Sequence, residues 1–402
     1  MTGPERPRNL SDLRDVVAGA AADGTSLEIT GRASKQALGR PIQASRILDL
    51  SALSGIRAYE PAELVLTAAA ATPLAEIEAA LAANHQMLAF EPPHWDRLLG
   101  TRQGGSLGGA LACNLAGPRR IKSGAARDHF LGMVAVSGRG EIFKAGGKVV
   151  KNVTGYDLCK LLAGSFGTLA AMEEVTVKVL PAPPKTRTVL LLGLDAPSGV
   201  AAMTDALNSA YEVSGAAYLP RAVAARSRVD HVRGSEASVT AIRVEGTAIS
   251  VEARCQALRR QFAAYSGVKE LHTVNSVQLW SEIREVEPLL SDPSRAVWRA
   301  SVPPTGGAAV AAATGGEYLL DWGGGLVWAA MDPAGDGGAA LMRAGVRAVG
   351  GHALLVRAAP AVRAAVSVFE PQEPAVAALS ARVKQAFDPL RILNPGRMYA
   401  EL

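Results

Sequence analysis

The stretch TRQGGSLGGALACNLAG, residues 101–117, is dense in glycine and points to the chemistry of the N-terminal half of the chain. A diphosphate is bound by backbone N–H groups at close range, and only glycine lets the backbone approach without a Cβ in the way. Glycine clusters are also ordinary turn chemistry, especially in a chain this rich in alanine. By itself, the stretch predicts no more than a phosphorylated ligand.

Two other segments offer the same chemistry. The strand SLEIT (26–30) runs directly into the loop GRASKQALGRP (31–41), and GSFGT (164–168) lies between a predicted helix and a predicted strand. The first of these loops supplies a tight turn, a hydroxyl donor and a counter-charge in Gly31, Ser34 and Lys35. No GxGxxG or GxxxxGK[ST] occurs, which argues against a Rossmann dinucleotide site and a P-loop nucleotide hydrolase.

Helices and strands are mixed around these loops, which favours helices packed on sheets. Ser11 is suited to cap a helix with apolar positions at Leu13, Val16, Val17 and Ala20. Thr72-Pro73 begins a second helix with its buried stripe at Leu74, Ile77 and Leu81, and a short helix covers 157–164. Strands are predicted at 46–50, 63–68, 87–90, 133–137, 141–145 and 175–180, the last with Val175, Val177 and Val179 on one face.

The prolines at 181, 183 and 184 mark a domain boundary, which divides the chain into residues 1–182 and 183–372. The first domain has two lobes, at about 1–62 and 63–182. In the second domain, strand-like runs alternate with helical patterns near 197–209, 251–264, 277–290 and 337–348, which predicts an α+β domain on a mostly antiparallel sheet. Residues 373–402 form a third segment, a helix at about 374–387 and a tail, which is expected to return to the first domain.

Composition excludes several classes of protein. The 402 residues are 49% hydrophobic and 20% charged, with no run of eighteen apolar residues, so no transmembrane helix is expected. The N-terminus MTGPERPRNLSD is polar and unlike a secretory signal. The net charge of +5 is dispersed rather than concentrated among aromatics, which argues against nucleic-acid binding. Three cysteines without a CxxC pair argue against disulfides, zinc and iron–sulfur ligation, and a reducing cytoplasm is expected.

Taken together, the glycine segments resemble the FAD-binding domain shared by the vanillyl-alcohol oxidase and p-cresol methylhydroxylase relatives. The resemblance rests on five motifs in order: a pyrophosphate loop, GG[ST]xGG, an Arg-Asp pair, GSxGTLG with a following glutamate, and a C-terminal LNPGR. It implies a two-lobed FAD-binding domain with an α+β cap. The residues it assigns to the cofactor are Gly31, Arg32, Ala33, Ser34, Lys35, Gln36, Gly104, Gly105, Ser106, Gly108, Gly109, Asn114, Arg127, Asp128, Gly164, Ser165, Gly167, Thr168, Glu174, Asn394 and Arg397.

A closer resemblance, to the FAD-binding E subunits of bacterial glycolate oxidases, spans most of the chain. It is carried by the runs ELVLTAAAATPLAEIEAAL, FEPPHW, GPRR, KNVTGYDL and GGHALLVRA. Two departures from the wider family matter. The GTLG pattern continues here as Leu169-Ala170-Ala171, and the pyrophosphate loop has no histidine for covalent flavin attachment. The resemblance therefore implies one non-covalent FAD, with Cys113 as a less favoured attachment point.

The resemblance also bears on catalysis. FAD enzymes of this group that oxidise 2-hydroxy acids usually carry an H-x-H-x-G-D-G-N motif for a divalent metal, and the six histidines here are too far apart for one. Gly335-Asp336-Gly337-Gly338 superficially resembles that motif but reads as a surface turn. No metal site is therefore predicted. His352 for acid/base work, Arg299 for a carboxylate and Tyr156 remain as catalytic candidates, each with a purely structural alternative.

Three functions stay open at this point. In the first, the chain is an auxiliary or electron-relaying FAD subunit of a complex that oxidises glycolate to glyoxylate. Its partners would be a homologous FAD-containing 2-hydroxy-acid dehydrogenase subunit and an iron–sulfur subunit, with membrane contact only through them. In the second, it is a free-standing FAD oxidoreductase of an alcohol or hydroxy acid. In the third, it is an assembly scaffold that has lost its flavin.

Overall fold

The computed structural model describes residues 3–147, 155–265 and 267–402. The chain forms two compact units. The first unit consists of Met1–Ala116, Gly124–Ala182 and Pro371–Leu402, and the second consists of Gly117–Ser123 and Pro183–Glu370. The second unit therefore takes a short segment, Gly117–Ser123, from within the N-terminal half, which the linear domain division made from the sequence did not include.

The first unit contains one five-stranded antiparallel sheet and two smaller strand pairs. The order in the large sheet is β3-β4-β8-β6-β7, while β1 pairs with β2 in parallel and β5 pairs with β9. The strands are β1 (Leu27–Thr30), β2 (Arg46–Asp49), β3 (Ile56–Glu60), β4 (Val65–Ala69), β5 (Gln86–Met87), β6 (Phe130–Ser137), β7 (Ile142–Gly146), β8 (Ala170–Lys178) and β9 (Leu180–Pro181).

Helices are numbered along the whole chain, and those of the first unit pack around these strands. They are α1 (Leu10–Asp23), α2 (Leu74–Ala82), α3 (Asp96–Leu99), α4 (Leu107–Ala112), α6 (Ala126–His129), α7 (Leu158–Leu162) and α16 (Pro374–Phe387). Helix α1 is capped by Asn9, whose Oδ1 accepts from Asp12 N at 2.9 Å, and not by Ser11. Ser11 lies inside the first turn because Asn9 already supplies the acceptor that the helix start needs.

Sequence periodicity correctly identifies the core of the first unit. Val175 and Val177 of β8 and Val179, which directly follows this strand, are all fully buried, as their strict alternation predicts. Leu74, Ile77 and Leu81 of α2 pack into the same core. The run at 87–90 is only partly a strand, because β5 ends at Met87 and the chain then turns.

The second unit is built on a single eight-stranded sheet in which every ladder is antiparallel among the described residues. The strand order is β13-β10-β12-β11-β15-β16-β14-β17. The strands are β10 (Lys185–Leu192), β11 (Gly215–Leu219), β12 (Val239–Gly246), β13 (Val268–Leu271), β14 (Ala296–Ser301), β15 (Glu317–Asp321), β16 (Leu326–Met331) and β17 (His352–Arg357). The predicted mostly antiparallel sheet is confirmed.

Helices of the second unit pack on both faces of this sheet: several contribute to one large core, whereas Ser276 and Trp280 contact Thr188 on the other face. The helices are α5 (Arg120–Ser123), α8 (Ala196–Leu207), α9 (Arg221–Ala224), α10 (Asp230–Arg233), α11 (Ala248–Gln261), α12 (Thr273–Arg284), α13 (Gly307–Ala313), α14 (Ala339–Val349) and α15 (Pro360–Ala365). The core beneath them takes Trp298 and Ala300 from β14. Because side chains alternate along a strand, Arg299 points to the opposite face.

The segment Gly117–Ser123 is fixed to this unit by charge-assisted bonds. Arg119 donates from Nε and NH2 to the two carboxylate oxygens of Glu245 at 3.0 and 2.8 Å. Both side chains are largely buried, so this bidentate pair is protected from solvent. The neighbouring guanidinium groups of Arg243 and Arg119 hold the pKa of Glu245 well below its usual value in spite of burial.

Candidate cofactor-binding site

A cleft in the first unit gathers residues from segments that are far apart in the sequence. The pyrophosphate-type loop after β1, the glycine stretch before α4, the GSFGT loop and the C-terminal tail all contribute to its wall. Of the residues that the sequence assigns to the cofactor, those that line this cleft are Gly31, Arg32, Ala33, Ser34, Lys35, Gln36, Ser106, Gly108, Gly109, Gly167, Asn394 and Arg397.

The loop after β1 presents unused backbone donors to the cleft. Ala33 adopts φ 54°, in the left-handed region that a non-glycine residue rarely occupies. Among the described residues, no acceptor is found for the backbone N–H groups of Ala33, Ser34 and Gln36, although Ser34 is buried. Among these three donors, that of the buried Ser34 requires a partner. Their arrangement suits the oxygens of a diphosphate, and in this respect the cleft fits FAD.

Lys35 adds a positive charge at this loop. Its Nζ donates to the carbonyl oxygen of His94 at 2.5 Å. Gly105 lies beside it, because a Cβ on Gly105 would come within 3.5 Å of Lys35 Nζ and 3.1 Å of Leu74 Cδ1. Gly105 therefore leaves room for the lysine rather than lining the cleft itself.

The turn from Ser106 to Gly109 brings the backbone close to strand β4. Ser106 caps α4, with its Oγ accepting from Gly109 N at 3.2 Å. Gly108 N donates to Ala70 O at 2.8 Å, and a Cβ on Gly108 would lie 2.7 Å from that oxygen. Only glycine permits this approach, which explains the glycine at this position of the motif.

The C-terminal tail completes the cleft through Asn394. Its Oδ1 accepts from Ile29 N at 2.7 Å, and its Nδ2 donates to Phe166 O at 2.7 Å. One side chain thus joins the strand before the pyrophosphate-type loop to the GSFGT loop. Gly167 has φ +71°, and a Cβ there would lie 2.7 Å from Asn394 Nδ2.

Arg397, three residues later, is a buried cation in the same wall. Its NH1 donates to Gln36 O at 3.3 Å and lies 3.9 Å from Glu28 Oε1. Burial lowers the pKa of Arg397, and the nearby Glu28 carboxylate partly offsets this effect. A buried guanidinium with one distant carboxylate has capacity left for an anionic ligand.

Other residues assigned to the cofactor support the wall without lining it. Asn114 Oδ1 accepts from Arg127 N at 3.0 Å, and Asp128 Oδ2 accepts from Ala125 N at 2.8 Å. Thr168 donates from Oγ1 to Ser165 O at 2.7 Å. The full set outside the lining is Gly104, Gly105, Asn114, Arg127, Asp128, Gly164, Ser165, Thr168 and Glu174.

Several lining residues carry no sequence signal that would have revealed them. They are mostly apolar: Ile29, Thr30, Leu50, Ala70, Ala71, Ala112, Cys113, Phe166, Ala170 and Met172. Ala170, the first residue of the GTLAA departure, faces the cleft, whereas Ala171 packs into the core with Leu27 and Leu393. Burial raises the pKa of the Cys113 thiol to about 11, although Lys35 and Arg397 act against this rise.

Tyr156 lies apart from the cleft. Its side chain is exposed, and it is not among the lining residues. Asp157 next to it caps α7, with Oδ1 accepting from Lys160 N at 3.1 Å. The residues Lys151–Thr154 of the KNVTGYDL motif lie outside the described part of the chain.

Arg299 and His352 belong to the second unit and lie on neighbouring strands. In the register of β14 and β17, Arg299 is opposite Leu354 and Ser301 is opposite His352, so the two candidates share one face of the sheet. Burial lowers the pKa of Arg299 to about 10, and the nearby Arg120 adds to this effect. Partial burial and the Arg299 charge lower the pKa of His352.

The described residues contain neither a metal-ligand cluster nor a membrane-spanning helix. No group of three or more His, Cys, Asp or Glu side chains lies close enough together to hold a metal ion. No described helix combines the length and apolarity needed to cross a membrane. The run at 335–338 forms a turn with Asp336 exposed and Gly337 buried, where Asp336 accepts from Gly338 N and Ala340 N at 2.9 and 2.7 Å.

Comparisons with known proteins identify relatives of this chain in sequence and in fold. A family model described as "FAD binding domain" matches residues 5–146. Glycolate oxidase subunit GlcE of Escherichia coli strain K12 is 35% identical over 391 residues, covering 97% of each chain. Glycolate oxidase subunit GlcD of Bacillus subtilis strain 168 is 41% identical over 87 residues, which is 22% of this chain and 18% of that protein. The structure of p-cresol methylhydroxylase matches with a TM-score of 0.73 at 13% identity, covering 98% of this chain and 88% of that one, which indicates a shared fold.

Proposed function

The chain belongs to the family of glycolate oxidase subunit GlcE, a family of FAD-binding oxidoreductases, and on this premise we propose that it binds one FAD non-covalently and relays electrons within a glycolate-oxidising complex. The FAD-binding domain and the FAD-linked relatives support the cofactor. Non-covalent binding is supported by the pyrophosphate-type loop, which has no histidine, and by the raised pKa of Cys113, which disfavours a thiolate nucleophile.

The observation that carries the proposal is the convergence of four distant segments on one cleft. The backbone donors at 33–36 would hold the diphosphate, with Lys35 and Arg397 supplying positive charge. Asn394 would keep strand β1 and the GSFGT loop at the spacing that the cofactor needs. When bound, FAD supplies the capacity to accept two electrons and pass them on.

The relay role is supported by what the chain lacks in sequence and by the names of its relatives. The histidine-rich metal motif of 2-hydroxy-acid-oxidising relatives has no counterpart among the six histidines. Two of the matched proteins are both named as subunits of glycolate oxidase, GlcE and GlcD. We therefore assign oxidation of glycolate to glyoxylate to a GlcD-like partner subunit, with an iron–sulfur subunit as a further partner. The complex would lie in the cytoplasm, with any membrane contact made through the partners.

The cofactor is tested by isolating the full chain and measuring flavin absorbance before and after acid precipitation. Release of FAD into the supernatant is expected, and flavin that stays with the precipitate would contradict the non-covalent assignment. Absence of flavin, even after incubation with excess FAD, would favour the scaffold alternative.

The relay role is tested by anaerobic reduction. With the flavin-loaded chain alone, glycolate or D-lactate is expected to leave the flavin oxidised. With a GlcD-like partner added, glycolate is expected to bleach the flavin of both subunits. Bleaching of the isolated chain by either acid would establish the free-standing oxidoreductase instead. This alternative is supported by Arg299 and His352, the two candidate catalytic residues, which lie on one face of the sheet.

A further inference from the structure

Strand β13 forms one end of the eight-stranded sheet in the second unit, and its outer edge is open. Residues Val268–Leu271 pair with β10 on one side, and no described strand pairs with them on the other. An unpaired edge presents a row of backbone N–H and C=O groups that can accept a further strand. The outer edge of β13 is therefore a surface on which another chain can pair.

The register of the ladder decides which backbone groups lie on this edge. Leu192 N donates to Gly267 O at 3.1 Å, at the end of the ladder between β10 and β13. Bonded and non-bonded pairs alternate along an antiparallel ladder, so Lys269 bonds to β10 and the backbone groups of Val268 and Glu270 point outward. Among the described residues, no hydrogen-bond partner is found for the N–H or C=O of either outward residue. These backbone groups are thus available in the alternation that an added strand requires.

A groove lies between this edge and the C-terminal part of helix α11. The residues that line it are Gln256, Arg259, Arg260, Ala263, Tyr265 and Val268. The wall therefore contains two arginines, an aromatic ring and no carboxylate. Proteins that bind extended peptides by strand addition use main-chain bonds for affinity and pockets beside the edge for specificity. The groove beside β13 supplies such a pocket.

The charge of the groove is positive and only partly compensated. The carboxylate beside it is Glu270, whose Oε1 accepts from Arg187 Nη1 at 2.9 Å and whose Oε2 lies 3.6 Å from Arg259 Nη1. The Arg260 side chain is exposed and makes no hydrogen bond or ion pair with any described residue. Three arginines thus share one carboxylate, which leaves an excess of positive charge for a ligand.

The opposite face of the edge is also positive. Side chains alternate along a strand, so Lys269 points away from the face that carries Val268 and Glu270. Lys269 is exposed, and its ammonium has no partner in the part of the chain that the structure describes. Cations therefore flank the edge on both faces. This pattern favours an acidic strand, because opposite charges on neighbouring strands stabilise their pairing.

A second copy of this chain fits the edge poorly. In the antiparallel register that overlaps most, Val268 of each copy would pair with Glu270 of the other, and Lys269 would lie directly opposite its own counterpart. Like charges directly opposite each other destabilise a strand pair, and lysine on an edge strand is one means by which proteins prevent self-pairing. The charge pattern therefore selects an acidic partner rather than a second copy.

We propose that β13 docks an extended acidic segment of a partner protein, which adds to the sheet as a further antiparallel strand. The outward backbone groups of Val268 and Glu270 would supply the main-chain hydrogen bonds. Acidic side chains of the segment would meet Arg259 and Arg260 on the groove side and Lys269 on the other side. The inference rests on the second unit alone and is independent of the proposed function.

The test uses the full chain and fluorescein-labelled synthetic peptides about eight residues long, which is within the usual range of strand lengths. The acidic peptide alternates glutamate with valine, and the basic peptide alternates lysine with valine. A third peptide repeats the acidic sequence with every amide N-methylated, which removes the donors needed for strand pairing and keeps the charge. Binding is measured by fluorescence anisotropy. Hydrogen–deuterium exchange followed by mass spectrometry locates the bound peptide on the chain.

Two variants reverse the charge beside the edge, Arg260→Glu and Lys269→Glu. The control is Arg221→Glu, which makes the same change of charge elsewhere in the second unit. The side chain of Arg221 is 71% exposed and lies 3.8 Å from Glu236 in a surface pair. Circular dichroism and FAD content show whether each variant is folded.

The acidic peptide is expected to bind the original chain and Arg221→Glu alike, and to slow deuterium exchange at residues 268–271. Arg260→Glu and Lys269→Glu are each expected to weaken its binding by about tenfold, because a like charge then faces the peptide. N-methylation is expected to weaken binding at least as much, because the main-chain bonds are lost. The basic peptide is not expected to bind.

Four results would each overturn the inference: no binding of the acidic peptide, equal binding of the N-methylated or basic peptide, unchanged affinity in both edge variants, or protection from exchange away from β13. Dimerisation of the original chain, measured by sedimentation and accompanied by protection of residues 268–271, would assign the edge to a second copy instead.

Discussion

Lys384 Nζ lies 2.8 Å from Asp388 Oδ2, one helical turn further along, and both side chains are buried. Lys384 also donates to Thr168 O at 2.6 Å and to Leu393 O at 3.0 Å. Asp388 accepts from the backbone N–H groups of Ile392 and Leu393 at 3.0 and 2.8 Å. This pair therefore anchors the start of the tail that carries Asn394 and Arg397 into the cleft.

Removing one partner of this pair is expected to destabilise the first unit strongly. Lys384→Met leaves the Asp388 charge buried and unpaired, which costs about 3–5 kcal/mol of unfolding free energy. FAD is expected to dissociate more readily, because the tail loses its anchor. Denaturant unfolding and flavin retention measure the two effects. The control is Lys160→Met, which removes a half-exposed ion pair with Asp157 and is expected to cost about 0–1 kcal/mol.

Substitution of Gly167 is expected to reduce flavin retention. In Gly167→Ala the new Cβ would press on Asn394 Nδ2, in addition to the cost of a positive φ. Gly24 is a matched control, because it has φ +62° and open space around its Cβ position. Gly24→Ala is expected to cost about 1–2 kcal/mol in stability and to leave FAD affinity unchanged. Equal FAD affinity in the two variants would mean that the GSFGT loop does not border the cofactor.

Asn394 is expected to be sensitive even to an isosteric change. Asn394→Asp keeps the acceptor for Ile29 N and loses the donor to Phe166 O, so two oxygens then face each other. The free energy of unfolding is expected to fall by about 1–3 kcal/mol, since the buried Phe166 O is left without its donor. FAD affinity, measured by fluorescence titration of the flavin-free chain, is expected to fall in parallel. Unchanged affinity would show that the bridge is not required.

Cysteine reactivity is expected to report on the cleft. The pKa of Cys113 is raised to about 11, and those of the buried Cys159 and Cys255 are raised to about 12. Alkylation of the flavin-free chain is therefore expected at Cys113 first. Because the thiolate is the reacting form, the rate of alkylation is expected to rise about tenfold per pH unit up to about pH 11. Added FAD is expected to slow it, since Cys113 lines the cleft. Peptide mass spectrometry identifies the site, and modification unaffected by FAD would contradict the placement.

Acid stability is expected to depend on Glu245. Because Arg243 and Arg119 lower its pKa in the folded chain, the unfolded chain binds a proton at higher pH than the folded chain does. The carboxylate thus contributes stability above its ordinary pKa of 4.5, and this contribution is lost as the pH falls below that value. Glu245→Gln is expected to lower the midpoint temperature of thermal unfolding at pH 7. This temperature is also expected to fall less steeply in the variant as the pH is lowered from about 5 to 3. The prediction would be contradicted if the midpoint temperature of the variant depended on pH as steeply as that of the original chain.

Local patterns in the sequence predict the parts of the fold that depend on neighbouring residues. The alternation of Val175, Val177 and Val179 identifies β8, and the proline at position 374 begins a helix that ends at Phe387, as predicted. The strand Gly215–Leu219 has little local signal, because GAAYL begins with three small residues and, being buried throughout, shows no polar alternation.

Features that depend on distant residues leave no local signal. Lys384 and Asp388, four residues apart on a helix, would ordinarily be a solvated surface pair, and only the tail that folds over them makes the pair buried. Arg119 gives no indication that it belongs to the second unit, because its partner Glu245 lies 126 residues away. The glycine positions of the cleft are predictable, whereas its alanine lining has no distinguishing pattern.

The bridge made by Asn394 has a consequence for biosynthesis. Ile29 and Asn394 are 365 residues apart, so two parts of the cleft wall are synthesised far apart in time. Until residue 397 has emerged, the nascent chain has only part of the surface that lines the cleft, and the complete wall forms only after this segment has been synthesised. A nonsense mutation a few codons before Asn394 would therefore yield a chain that keeps the glycine loops and lacks Asn394 and Arg397 in the wall of the cleft.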